Sequence, residues 1–191
     1  FAKNQVAAQR LQAQREEHVF RKEYLAVVAG YLPEDPADLW HTISFPVKKV
    51  SDHPLRMQAV PAPDDNCSTD ASLLPAVTHY CTLYSTANWS LVSLRLNTGR
   101  THQIRVHLTG EDLPLIGDQL YRGRAPGIAV KVENFLEFHR QALHASRLGL
   151  IHPATGEEME WFVEPPEDMI DLMEQLGFGP WDRPVTVFEK K

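Results

Sequence analysis

The sequence predicts an α+β domain, with a mixed, mainly antiparallel sheet and helices packed on its faces. Three observations lead there. Strand-like stretches outnumber helical ones, and the turns between them are short. The chain has 191 residues, 43% hydrophobic and 23% charged, which suits one domain with a substantial core.

Residues 4–18 lack Gly and Pro and are rich in Ala, Gln, Arg and Glu, which predicts a surface helix capped by Asn4, with Ala8, Leu11 and Arg15 on one side. Residues 24–30 form a short apolar run bounded by Gly30, Pro33 and Pro36, a candidate buried strand. Further strands are expected at residues 40–50, 57–60 and 76–84. The last two flank PAPDDNCSTDASLLP, whose Pro, Asp, Ser and Asn content marks a flexible surface loop. Residues 89–96 set Leu91, Leu94 and Leu96 against Ser90, Ser93 and Arg95, and Asn97, Thr98 and Gly99 then turn the chain. Thr101 is placed to cap the helix THQIRVHLTG, in which Ile104 and Leu108 make an i, i+4 apolar pair and Gly110 a stop. Residues 113–127 read as loop. Residues 142–152 and 158–163 read as two strands joined by a Pro-Ala-Thr-Gly turn, and an amphipathic helix follows over residues 167–176.

Bulk properties exclude several classes. No run of about 18 apolar residues occurs, so no membrane-spanning helix is expected, and residues 1–20 lack the pattern of a signal peptide. The expected setting is intracellular: cytoplasm by default, with mitochondrion or plastid left open. Cys67 and Cys81 are too few for a disulfide framework and read as reduced thiols. His102 and His107 are five apart and so lie off a common helix face, while His144 and His152 have no Cys or Glu at ligand spacing. No metal site is expected. The net charge of -6 and pI of about 5.8 argue mildly against nucleic acid as a partner. Residues 91–110, however, carry Arg95, Arg100 and Arg105 with no acid, while acids gather in residues 157–171. A local positive face on an acidic protein is enough to attract phosphates.

The segment TGRTHQIRVHL at residues 98–108 continues into LPLIGDQLY at 113–121, and both resemble the RNA pseudouridine synthases of the ribosomal and tRNA uridine-modifying branch. The likeness extends, in order, to FAKN at 1–4, KEYLAVVAG at 22–30, PAVTHY at 75–80 and RQALHASRLGLIHPATGEEMEW at 140–161. It implies isomerisation of uridine to pseudouridine in structured RNA, with large-subunit ribosomal RNA or a ribosome precursor as partner and no cofactor. The fold it implies agrees with the one read from the pattern.

The resemblance also implies roles. The family's nucleophile is an aspartate in a motif of the form Arg-Leu-Asp followed by Thr-Ser-Gly, which leads into a core strand expected to include the start of FAKN; no Asp of residues 1–191 has that context. The segment is therefore expected to be a catalytic domain lacking its N-terminal part, with the aspartate roughly ten residues upstream, about a strand and a turn. Arg105 should pair with that aspartate, and an Arg suits the task because its planar fork grips a carboxylate in two places. Tyr24 should lie against the flipped uracil, with Leu143 as an apolar wall and Thr98 and Gly99 in the same pocket. Arg95, Arg100, His102, Lys48, Lys49 and Arg56 are candidate contacts to the RNA backbone. Bland alternatives stand beside these: a surface ion pair for Arg105, a core aromatic for Tyr24, ordinary core for Leu143 and a solvated edge for Lys48 and Lys49. A catalytically silent homologue that grips RNA or a ribosome precursor is the competing function, and a monomer is the default state.

Overall fold

A computed structural model describes residues 1–36, 39–51, 53, 56–60, 70–123 and 137–181. The chain begins with α1 (Gln5–Glu16), followed by β1 (Arg21–Ala29), β2 (His41–Ile43), β3 (Val47–Lys49), β4 (Met57–Ala59), β5 (Thr78–Ser85) and β6 (Trp89–Leu96). Helix α2 (Gln103–Gly110), β7 (Leu143–Ile151), β8 (Glu158–Phe162) and α3 (Glu167–Gln175) complete the described elements. Six strands form one sheet in the order β2-β5-β6-β1-β7-β8, every pairing antiparallel, and β3 and β4 form a separate ribbon. The α+β architecture with a mainly antiparallel sheet follows the expectation from sequence.

Strand β1 sits at the centre and is buried on both faces, which is why its sequence is a continuous apolar run rather than an alternation. Its odd residues Leu25 and Val27 meet Leu91, Met169, Leu172 and Met173, so α3 covers that face. Its even residues Ala26 and Val28 meet Val92, Leu94, Ile104 and Leu108, so α2 covers the other. The Ile104–Leu108 pair anticipated from the sequence is the part of α2 that docks.

Four local expectations are corrected. Residues 40–50 are two short strands in different sheets, because Pro46 has no N–H to donate to a ladder and breaks the run. Residues 1–4 lie outside any strand and lead directly into α1, whose Asn4 side chain accepts from the Ala7 N–H at 2.8 Å as a cap. The inward side of α1 is Ala7, Leu11 and Gln14, all half-buried, instead of Ala8, Leu11 and Arg15. The cap position of α2 is His102, in the left-handed region at φ 55°, and no side chain caps that helix. Thr101 therefore does not serve as its cap.

Residues 113–118 contain no regular strand, yet all six are buried. Leu115 bridges Val28; the Ala29 N–H donates to Pro114 O at 2.9 Å and the Ile116 N–H to Val27 O at 3.0 Å. A stretch read as loop thus crosses the end of β1 inside the core. The flexible loop expected at residues 61–75 falls largely outside the described residues, as does Cys67; Cys81 is a buried free thiol. Among the described residues no helix is long and apolar enough to cross a membrane.

Candidate active site

The turn from β6 into α2 is tied to the neighbouring strand by a chain of polar side chains. Thr98 Oγ1 accepts from the Val77 N–H at 2.9 Å and donates to Gln103 Oε1 at 2.8 Å, which also accepts from the Arg100 N–H at 3.0 Å. Gln103 Nε2 donates to Val77 O and Thr78 Oγ1, both at 3.0 Å. Thr78 Oγ1 in turn bonds His107 Nδ1 at 2.9 Å, leaving His107 Nε2–H to donate to Phe45 O at 2.8 Å. Because the Phe45 carbonyl can only accept, the neutral imidazole carries its proton on Nε2. Burial pushes its pKa below the ordinary 6.5, against the opposing pull of the Phe45 carbonyl. The Thr, Gln and His of the TGRTHQIRVH motif are thus scaffold, holding α2 at a fixed height over the sheet.

Arg105 projects from this held helix into the turn that follows residues 113–117. Its Nε donates to Asp118 Oδ2 at 2.6 Å and its Nη2 to Asp118 Oδ1 at 2.7 Å, a side-on bidentate pair. Asp118 Oδ1 also accepts from the N–H groups of Leu120 at 2.9 Å and Tyr121 at 3.0 Å. The guanidinium carbon lies 4.8 Å from the Tyr121 ring centre, and the Tyr121 hydroxyl accepts from the Met57 N–H at 2.8 Å and bonds His102 Nδ1 at 3.0 Å. The Arg105 side chain is 14% exposed and that of Asp118 only 1%. Burial alone would raise the Asp118 pKa, but Arg105 and the two backbone donors outweigh it, and the carboxyl is held below its usual range.

Tyr24 and Leu143 pack against the cluster that contains Ile104 and Leu108, so both lie on the sheet face that carries α2. Arg105 belongs to that same helix, so its backbone is on this side of the sheet. Tyr24 is half-buried, and burial raises its phenol pKa. Next to it on this face Ala145, its cross-strand partner, is exposed, so the sheet surface beside the ring is open. Gly99 is exposed, and a Cβ built there would meet nothing within 4 Å. Thr98, expected in the same pocket, has its hydroxyl engaged on both sides as described.

The six residues expected to contact an RNA backbone do not share one surface. Arg95 follows Leu94, the partner of Tyr24, and so points to the opposite face. There it pairs with buried Glu23 at 3.1 Å and stacks over Trp40 at 4.1 Å, while Arg147 approaches Glu23 from the other side at 3.5 Å. Arg100 is exposed and donates from Nε to Pro75 O at 3.0 Å. His102 is half-buried against Tyr121. Lys48, Lys49 and Arg56 lie on or beside the β3–β4 ribbon, where Lys49 and Arg56 are exposed and Lys48 pairs with Asp70 at 3.7 Å. That ribbon packs on α2, which brings these three near the Arg105 side of the molecule.

Sequence reading missed Asp118, Tyr121, Gln103 and the structural part of His107. A signal for Asp118 was present: an acid one glycine past the apolar run LPLI is a candidate for a buried, paired carboxylate. Among the described residues no group of His, Cys, Asp and Glu could hold a metal ion.

A sequence model of the family described as RNA pseudouridylate synthase matches residues 1–109, more than half of the chain. Ribosomal large subunit pseudouridine synthase D of Haemophilus influenzae is 49% identical over 106 residues, which are 53% of this chain and 33% of that protein. Its namesake from Salmonella typhimurium is 38% identical over 159 residues, 81% of this chain and 44% of that protein. The chain therefore spans between a third and a half of the length of these relatives. Human RNA Pseudouridylate Synthase Domain Containing 4 has the same fold at a TM-score of 0.71 and 25% identity, over 91% of this chain and 68% of that one. A second human structure, RNA Pseudouridylate Synthase Domain Containing 1, superposes at a TM-score of 0.63 with 28% identity over 86% of this chain. With its central strand, motif helix and paired arginine in one arrangement, the chain belongs to the RNA pseudouridylate synthase family.

Proposed function

We propose that this domain isomerises uridine to pseudouridine in structured RNA, with large-subunit ribosomal RNA as the substrate. The observation that carries the reading is Arg105: a guanidinium fixed by Asp118 and Tyr121 and projecting from α2, the helix whose Ile104 and Leu108 pack in one cluster with Tyr24 and Leu143. The names of the relatives support the choice of RNA.

The chemistry breaks a glycosidic bond, turns the base and rejoins it through carbon, and a carboxylate nucleophile suffices for it. Asp118 is unsuited to that part, being 1% exposed with both oxygens bonded to donors. The nucleophile is instead the family's aspartate, supplied from outside residues 1–191 and received by Arg105. Tyr24 stacks on the flipped uracil from the open sheet surface, and its hydroxyl lies near the carbon that loses a proton, while Leu143 walls the pocket. Arg100, His102, Lys48, Lys49 and Arg56 contact the RNA backbone around it.

The test is pseudouridine formation by the full-length protein on a large-subunit ribosomal RNA transcript, read by base-specific chemical modification. Arg105→Lys and Tyr24→Phe should each lower kcat by about 100-fold or more while changing KM for RNA by less than about threefold. RNA binding with no pseudouridine formed by the wild type would favour a silent, RNA-gripping homologue instead.

A further inference from the structure

Beyond the residues assigned above, we infer that Asp118 is a positioning residue for this reaction, clamping Arg105 by one edge so that its other edge stays presented to the nucleophile's carboxylate; the inference rests on the function proposed above. A guanidinium has five N–H donors in a rigid plane. Asp118 takes Nε–H and one hydrogen of Nη2. The three that remain, two on Nη1 and one on Nη2, meet no carboxylate among the described residues. One edge is thus occupied and the other can receive a second carboxylate in the same plane.

The clamp is built before any substrate arrives. Asp118 cannot swing, because the N–H groups of Leu120 and Tyr121 hold Oδ1 within the same turn. Tyr121 covers the guanidinium face and is itself tied at its hydroxyl to the Met57 N–H and His102. Edge and face are both fixed, so a side chain with several rotatable bonds is reduced to one pose. A surface ion pair has no need of a partner 1% exposed and held by two backbone donors.

The decisive experiment is a double-mutant cycle on kcat in the full-length protein, using Asp118→Asn, Arg105→Ala and the pair. Asn keeps the size of the side chain and an oxygen for the turn but loses the charge that holds the guanidinium. Asp118→Asn should lower kcat by about 10- to 100-fold with KM for RNA within about threefold, since misplacing a reacting group by about 1 Å can cost that much. In the Arg105→Ala background the same change should lower kcat no further. If Asp118→Asn fails to fold, Asp118→Glu is read in its place, which keeps the charge and moves it by one methylene; the same pattern is expected. An active wild type with Asp118→Asn equally active, or with the same extra loss in the Arg105→Ala background, overturns the inference alone. A wild type that forms no pseudouridine overturns the proposed function and the inference with it.

Discussion

Gly117 precedes the clamp and shows how tightly the turn is built. It has φ +74°, and a Cβ there would lie 1.8 Å from the Arg140 carbonyl oxygen. The backbone conformation alone costs an L residue about 1–2 kcal/mol, and the contact with a main-chain atom adds to that. Gly117→Ala should therefore lower the melting temperature sharply and, by moving Asp118, reduce kcat in whatever fraction still folds. His107 gives a prediction in pH. The folded protein holds it neutral with its pKa below the ordinary 6.5, so as pH falls the unfolded chain takes up the proton first. The stability it supports is complete above about pH 6.5 and is lost as pH falls through the lowered folded value. Melting curves between pH 8 and pH 5 should show wild type losing stability relative to His107→Gln; a constant difference would remove this explanation. At this scale the sequence was most legible where the motif named a residue, as with Arg105 and Tyr24. It was least legible where a partner comes from elsewhere in the chain, as with Asp118, whose thirteen-residue offset from Arg105 follows no helical or strand period.

The elements differ in what holds them. Helix α2 is locked by buried Ile104, Val106 and Leu108 together with the Gln103–Thr78–His107 chain. Helix α1 has no buried residue and is fastened by side chains from its middle and last turn. The Gln14 amide donates to Ile151 O at 2.7 Å and accepts from the Ile151 N–H at 2.9 Å, and Arg10 donates to Pro153 O at 2.6 Å. Each such bond contributes about 1 kcal/mol net. Gln14→Ala should leave the global melting temperature within a few degrees yet speed amide hydrogen exchange along α1 by about tenfold; unchanged exchange would mean that something else holds the helix. Strand boundaries were readable where the apolar run ended in Gly or Pro, and β6 was placed at residues 89–96 as found. Within residues 40–50 Pro46 offered a signal for the break, but which sheet each half joins needed the partner strands to be seen, because a short apolar-polar run reads the same whether it joins one sheet or two.

Across the whole molecule, the net charge of -6 conceals a separation. Exposed Lys49, Arg56 and Arg100 lie on the side of α2 and its ribbon, whereas Glu157, Glu158 and Glu160 gather on β8 and the turn before it, at the far edge of the sheet. Backbone contacts made from the ribbon predict RNA affinity that falls with salt. Lys49→Ala and Arg56→Ala should each reduce the slope of log affinity against log salt by about one, without altering which uridine is chosen. A slope unchanged by both would place the RNA path elsewhere.

The sequence by itself determined the α+β class, the positions of the central strand and the motif helix, and the family to which the chain belongs. These depend on local periodicity, turn residues and a contiguous motif, all of which can be read without knowing what lies across the fold. Tertiary structure alone decided that Arg105 is met by Asp118, that residues 113–118 are buried, and that Arg95 faces away from Tyr24. Each of these is a pairing between distant segments, set by strand order and by the energetic need of a buried charge for a partner.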